Sequence, residues 1–399
     1  MVLLFIVAHF AYHLIGGQLS PLLPLIREEF QLDYTQTGFM LAALNLTAGL
    51  ANLPAGWLAD RIGRPLLITI SICGVGLAGL LISFSHSYFM MVVALILFGA
   101  VGGGYHVSAP PLIAASTEPK KQGAALGLHM IGGTGSLFVA PLVAVGIAGL
   151  WGWRSPYLVL SIPVTACGLL LYVLLRRRLA RKETAGPVPV GETKSAATTA
   201  VKPPAKTNWP RLVAFLVLSV LSGALIWTPV AFLPLFLVDE LGATQTEVGV
   251  FVSLTAVGGV ISGPFGGYLA DRFGPARVMA VMLLLAVPLV LLMNIAPYGI
   301  ALGAVLVGIG MIATTRIPVA ESFILVNAPA RHRSTVLGIF YFSGAELGGV
   351  FTPAIGAIID RYGFSTAFIL SAAGTLVVVL VCSIWLWRAS KMSQTRPAT

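Results

Sequence analysis

A nine-residue stretch, Gly56-Trp-Leu-Ala-Asp60-Arg61-Ile-Gly63-Arg64, separates two long apolar runs. It returns further along the chain as Gly267-Tyr-Leu-Ala-Asp271-Arg272-Phe-Gly274-Pro-Ala-Arg277. Asp60 and Asp271 lie 211 positions apart, and so do Gly63 and Gly274. The same offset relates Gly38 to Gly249, Gly127 to Gly338, and Glu28-Glu29 to Asp239-Glu240. A looser third copy is Gly356-Ala-Ile-Ile-Asp360-Arg361-Tyr-Gly363. One constant offset across six apolar runs means that one unit is written twice, and the fold must be built from two similar halves.

The medium of that fold follows from composition. The 399 residues are 57% hydrophobic and 10% charged, with a mean hydropathy of +0.93. A soluble domain carries roughly 25% charged residues. Lipid admits only helices and closed barrels, because every backbone polar group needs a partner there. The apolar runs are about 20 residues or longer, which is helix length. The pattern therefore predicts an all-α integral membrane protein. Its twelve spans are expected over 2–26, 36–59, 65–84, 88–115, 122–149 and 155–176, then 210–238, 246–270, 276–296, 298–327, 333–359 and 364–387. The first run is too long for a signal peptide and is expected to be retained. The organisation predicted is an N-terminal six-helix bundle (1–176), a disordered cytoplasmic linker (177–209), a C-terminal six-helix bundle (210–388) and a tail (389–399).

The net charge of +10 is unevenly placed. Of 24 Lys and Arg, 20 fall on one side of the predicted spans, including nine between Arg176 and Arg211. Arg27, Arg154 and Arg361 fall on the other side, and Arg316 lies within a span. That bias marks the cytoplasmic face and puts both termini inside. The basic balance thus reports topology in a multi-pass plasma (inner) membrane protein, with membrane lipid as a partner and nucleic acid not expected. Cys73, Cys167 and Cys382 sit within apolar runs and read as small hydrophobes.

The Gly-x-Leu-Ala-Asp-Arg-x-Gly-Arg stretch between the second and third spans resembles the signature loop of the major facilitator superfamily. The resemblance covers nearly the whole chain and implies two pseudo-symmetric six-helix halves rocking about a midplane site. It also implies a gating role for Asp60, Arg61, Gly63, Arg64, Asp271 and Arg272, in which the Asp docks against a neighbouring helix end. A helix N-terminus favours a carboxylate. On the residues alone, each copy is a tight, charged turn whose Gly permits a sharp reversal.

A narrower resemblance rests on Ala8-His9-Phe10 with Pro21-Leu-Leu-Pro24, on Gly103-Gly104-Tyr105-His106, and on Gly132-Gly133 with Ala140-Pro141. These are similar to the fosmidomycin-resistance type of efflux protein. Val107 stands where that family has Pro, and Ala140 where it has Gly before Pro141.

Polar groups inside a membrane are costly, so they are candidates for function. The first half offers His9, His13, Tyr105, His106 and His129, and the second Arg316, Glu321 and Glu346. At 1.5 Å per residue, His9 is roughly 12 Å deep and Arg316 roughly 18 Å. The superfamily resemblance implies that spans one, four, seven and ten line a cavity. The substrate-binding candidates are then Arg316, His106, Tyr105, His9, His13 and Trp227, with Thr228 beside it. The proton-coupling candidates are Glu321, Glu346, His9 and His106, since carboxylates and imidazoles carry protons in membrane relays. Satisfied interhelical hydrogen bonds are the plain alternative for His13 and His129. For Arg316 that alternative is an ion pair, with Glu346 a better partner than Glu321, which is badly spaced on the same helix.

Other motifs carry less. Gly74-Val-Gly76-Leu-Ala-Gly79 fits a dinucleotide fingerprint but lies within a span, not after a strand. Asn45-Leu-Thr47 fits a glycosylation sequon but also lies within a span. His9 and His13 are spaced as a metal pair, yet two His without a third ligand make a weak site, so no metal is expected. Gly259, Gly263 and Gly267, like Gly344 and Gly348, are spaced for close helix packing.

The function expected is secondary active transport by alternating access, driven by protons, of a small organic or amphiphilic drug-like anion, in the direction of export. The working form is expected to be a monomer without a cofactor. One alternative is proton-symport uptake of a monocarboxylate-like anion. Another is a non-transporting membrane sensor, which the lack of any soluble module disfavours. No nucleophile–base pair emerges, so an enzyme is not expected.

Overall fold

The computed structural model describes residues 2–118, 121–183, 207–329 and 332–394. Within these, a few side chains are left undescribed, that of Glu346 among them. Residues 184–206, most of the expected linker, lie outside the described residues. No strand occurs among the described residues. The first half holds α1 (Val2–Gly16), α2 (Leu19–Phe30), α3 (Tyr34–Ile62), α4 (Arg64–Ser83), α5 (Tyr88–Gly102), α6 (Gly104–Ala115), α7 (Gln122–Trp151) and α8 (Arg154–Glu183). The second holds α9 (Trp209–Ala231), α10 (Leu233–Asp239), α11 (Gln245–Phe273), α12 (Pro275–Leu292), α13 (Ile300–Asn327) and α14 (Arg333–Gln394).

These helices make twelve spans among the described residues. Ten stretches are long and apolar enough to cross a membrane, and α11, bent by 45°, is an eleventh. The last of the ten, Thr335–Lys391, is two spans, because Gly363 (φ 78°, ψ 170°) breaks α14. Three spans are helix pairs: α1 with α2, α5 with α6, and α9 with α10. The breaks have local causes. A Cβ on Gly17 would fall 2.8 Å from that of Ala140. One on Gly103 would fall 2.8 Å from the Ala51 backbone. Between α9 and α10, Pro229 and Pro234 withdraw two backbone donors.

The repeat extends to backbone conformation. Positive φ occurs at Gly63 and Gly274, at Gly152 and Gly363, and at Gln31 and Gly242. The members of each pair are 211 positions apart. Such φ values favour glycine, and each of these residues ends or joins helices at a chain reversal.

The chain divides into two compact units. The first comprises Met1–Gln31, Ala43–Ala200 and Thr244–Ser253, and the second Leu32–Ala42, Val201–Ala243 and Leu254–Thr399. Each unit thus takes in the opening turns of one helix from the other sequence half, α3 or α11. In the first unit α4 packs on α8 and α1 on α7. Glycines make this possible: Gly132 lies directly against the Ile6 carbonyl, and Gly76 against Ser161 and Thr165. In the second unit α9 packs along α14, and α12 along α13. Gly258 and Gly310 bring α11 and α13 to backbone contact. Gly259 likewise faces Thr314, whereas a Cβ on Gly267, Gly344 or Gly348 would meet no described atom within 4 Å. Close packing therefore uses only part of the small-residue spacing seen in the sequence. Large apolar side chains such as Leu3, Phe89, Leu150 and Ile300 stand exposed on these helices, as lipid-facing residues must.

Candidate functional site

In the first unit, the histidines that are scattered in sequence converge. His9 and His13 share one face of α1, as an i, i+4 pair does. The break at Gly103 starts α6 with Tyr105 and His106 turned to the same place. The ring of His9 lies 4.9 Å from that of His13 and 5.5 Å from that of His106, and those of His13 and His106 are 5.3 Å apart. One ring nitrogen of each falls within 4.8 Å of the others. His9 is buried, His13 half-buried and His106 exposed, so the group opens to one side.

The cluster is held from behind. His129, on α7, stacks on His9 with centroids 4.2 Å apart and planes 17° from parallel. The Nδ1–H of His9 donates to the His129 carbonyl at 3.0 Å. A carbonyl only accepts, so in neutral His9 the lone pair lies on Nε2. That Nε2 is buried and has no hydrogen-bond partner among the described residues. The Nδ1 of His129 and the Tyr105 hydroxyl both reach the Phe5 carbonyl at 3.2 Å. Tyr12 stacks on Tyr105 at 5.0 Å and donates to the Gly102 carbonyl at 3.2 Å. Room for the His9 ring comes from Gly133, whose Cβ would lie 2.6 Å from Nε2. Tyr12 was not among the sequence candidates. Its position three residues after His9 was the available signal.

The second unit carries a fixed charge instead. Arg316, half-buried on α13, donates from one terminal nitrogen to the carbonyl and the hydroxyl of Ser219 on α9, both at 3.2 Å. Its guanidinium lies 5.8 Å from the Phe340 ring centroid. A Cβ on Gly223 would come within 2.8 Å of Arg316 Cζ. Trp227 shares α9 with Ser219 and is 49% exposed, while Thr228 turns inward to the Ala224 carbonyl. Glu321 is half-buried on α13. The side chain of Glu346, the partner expected for Arg316, lies outside the described residues. Ser219 and Phe340 were not legible as partners, because serine and phenylalanine are common in any span.

The three copies of the signature turn differ in what their Asp does. Asp60 and Asp271 are exposed. Asp60 has a long contact with Arg64, 3.8 Å. The arginines beside them lean back onto aromatic residues one turn earlier. Arg61 lies 4.1 Å over Trp57, and Arg272 donates to the Tyr268 hydroxyl at 3.0 Å. In the third copy, Asp360 accepts from the backbone N–H of Tyr34 and of Thr35, both at 2.9 Å, and from the Thr35 hydroxyl at 2.5 Å. The two N–H groups are the first backbone donors of α3, which no carbonyl within the helix reaches. Among the described residues a carboxylate docked on a helix end is seen at Asp360, and at neither Asp60 nor Asp271.

Comparison with known proteins follows the same division. The model of the Major Facilitator Superfamily matches residues 3–236 and 215–398. "Multidrug resistance protein MdtG" of Proteus mirabilis (strain HI4320) is 28% identical over 396 residues, covering 95% of this chain and 92% of the relative. The protein of that name from Salmonella paratyphi C (strain RKS4594) is 26% identical over 360 residues, covering 88% and 85%. Among solved structures, a bacterial homolog to the human lysosomal transporter Spinster, inward-facing and occupied, aligns with a TM-score of 0.77 at 16% identity, covering 100% of this chain and 98% of that one. A POT family transporter in complex with 5-aminolevulinic acid aligns at 0.76 and 14% identity, covering 97% and 96%. Identities this low speak for the fold alone.

Proposed function

The chain belongs to the major facilitator superfamily of membrane transporters, and from that premise we propose that it exports a small organic or amphiphilic, drug-like anion by proton-coupled alternating access. Arg316 is the observation that carries the charge preference. Among the described residues it is the only Lys or Arg in the middle of a span, and burying it costs at least about 2.5 kcal/mol on insertion scales. Its described hydrogen bonds go to one hydroxyl and one carbonyl. Among the described residues these neutral acceptors engage one terminal nitrogen, and a guanidinium fork of five donors suits an anion that comes and goes. The carboxylate of Glu321, on the same helix, serves the proton. Export accords with the name carried by the MdtG relatives and with the narrower sequence resemblance. The charge bias supports a topology with both termini on the cytoplasmic side.

The test uses purified protein in liposomes with an imposed pH gradient and a fluorescent amphiphilic anion. Export by antiport requires that the anion move against the proton gradient, and movement with it would replace this reading by symport uptake. Arg316→Lys keeps the charge but loses the planar fork. It is expected to weaken anion binding about tenfold or more while leaving the melting temperature in place, since one good charge-assisted contact is worth about 1.5–3 kcal/mol. Full anion affinity in Arg316→Ala would remove Arg316 from recognition and leave it a structural residue.

A further inference from the structure

We propose that His9, His13 and His106 form a binding site for one divalent transition-metal ion of the zinc class. Three observations on the first unit carry this. The first is convergence: three imidazoles from two helices bring one nitrogen each to within 4.8 Å of the others, in a nearly equilateral arrangement of rings. Coordination bonds of about 2.0–2.1 Å draw such nitrogens closer than this, which small rotations of the two less buried rings supply. The second is the state of His9. Its Nδ1–H is committed to the His129 carbonyl, and its Nε2 lone pair is buried with no partner among the described residues. Metal-bound histidines show that pattern, with one nitrogen donating to a carbonyl and the other facing the ion. A purely structural histidine in a dry setting leaves that lone pair uncompensated. The third is access. His9 lies deep and His106 is exposed, so an ion has a way in and a fourth position is left open to water or an anion.

The ligand set fixes the class of ion. Three neutral imidazoles suit zinc, nickel or copper and not magnesium or calcium, which need oxygen ligands. Among the described residues no carboxylate belongs to the group. The dication therefore keeps its full charge, which favours an anion as fourth ligand. By joining α1 to α6, the ion would tie the first and fourth spans of this unit together. The site goes beyond the transport reading, and its test needs no substrate, so either can fail alone.

The experiment takes the full-length protein in detergent, purified without a polyhistidine tag and stripped with a chelator. Zinc binding is measured by equilibrium dialysis, and a cobalt-loaded sample is read by visible absorption. We expect about one zinc per chain, a tetrahedral cobalt spectrum, a rise in melting temperature reversed by chelator, and no competition from magnesium. His106→Gln, at the exposed corner, should weaken zinc at least about tenfold, in the range that metal sites lose when a supporting group is removed. His86→Gln, at an exposed histidine in the turn between α4 and α5, should bind as the parent does. Zinc binding equal in His106→Gln and parent, or dependent on His86, would overturn the site. So would an absence of binding by the folded parent protein.

Discussion

Each unit sets one intramembrane polar side chain into a space that a glycine leaves open, but the two spaces hold opposite kinds of group. Gly133 on α7 faces His9, a neutral ring pinned by one hydrogen bond and stacked on His129. Gly223 on α9 faces Arg316, a permanent cation at the end of a flexible stem. The turns and the glycine reversals of the two halves still superpose at one offset. The side chains between them do not. Duplication has preserved the scaffold that fixes where helices bend, while the chemistry presented by each half has become a lone-pair donor in one and a charge in the other.

Alanine at the two glycines sharpens this contrast and should give the largest effects. Gly133→Ala puts a methyl 2.5 Å from His9 Cε1 and 2.6 Å from Nε2. The ring cannot retreat without giving up the His129 carbonyl and its stacking partner. We expect a loss of about 1–3 kcal/mol, the usual cost of overpacking, seen as a lower melting temperature. Gly223→Ala meets the guanidinium at 2.8 Å, and a long side chain can swing away. It should cost less than about 1 kcal/mol of stability yet reduce anion binding, because the fork is displaced. Equal destabilisation by the two would mean that Arg316 is as rigidly held as His9 and would weaken its role in recognition.

A second comparison is between copies of the signature turn, and its expected effect is intermediate. Asp360 supplies from another helix what an N-cap residue supplies from its own: acceptors for the first backbone donors of α3. Asp360→Ala should therefore cost about 0.5–2 kcal/mol, the range for losing a cap. Thr35→Ala removes only the hydroxyl partner and should cost less. Hydrogen exchange at the amides of Tyr34 and Thr35 checks the assignment, since it should quicken in Asp360→Ala and stay slow in Thr35→Ala. An unchanged exchange rate in both would deny the cap.

The spans, their number and their turns were legible because each rests on a local signal: length of apolar run, a reversing glycine, a repeated offset. The sequence also marked His9, His13, Tyr105, His106 and Arg316 as polar groups in apolar helices. It did not bring them together. His9 and His106 are 97 residues apart, and only the packing of α1 and α6 makes them neighbours. For that reason His9 and His13 read as a metal pair lacking a third member, which the fold provides in His106. Nor did the sequence distinguish the third signature copy from the first two. Asp360 differs from Asp60 in what stands opposite it, the N-terminus of α3, and no spacing within the motif records that.

The smallest expected change in stability, and the sharpest test of gating, is Asp60→Asn. Asp60 and Arg64 are 76% and 44% exposed and 3.8 Å apart, so their pairing is worth about 0.5 kcal/mol or less. The melting temperature should not move beyond error. Transport should fall nonetheless, and the reason lies in the neighbours of the carboxylate. Arg61 lies over the Trp57 ring and Arg272 donates to the Tyr268 hydroxyl, each one turn back and at positions equivalent under the repeat. Among the described residues Asp60, apart from its long contact with Arg64, and Asp271 face solvent, where their acceptors can meet the N–H groups of a helix end in another conformation. Asp360 shows what such an engagement looks like in this chain. Asn retains one oxygen but not the charge that a helix N-terminus favours, worth about 0.3–1 kcal/mol at an exposed site. That amount shifts a conformational equilibrium by a few-fold without touching the fold of either unit. We therefore expect a few-fold loss of transport in Asp60→Asn and a larger loss when Asp271→Asn is added, both at unchanged melting temperature. Unaltered transport in the single and the double variant would show that the first two copies are turns and nothing more.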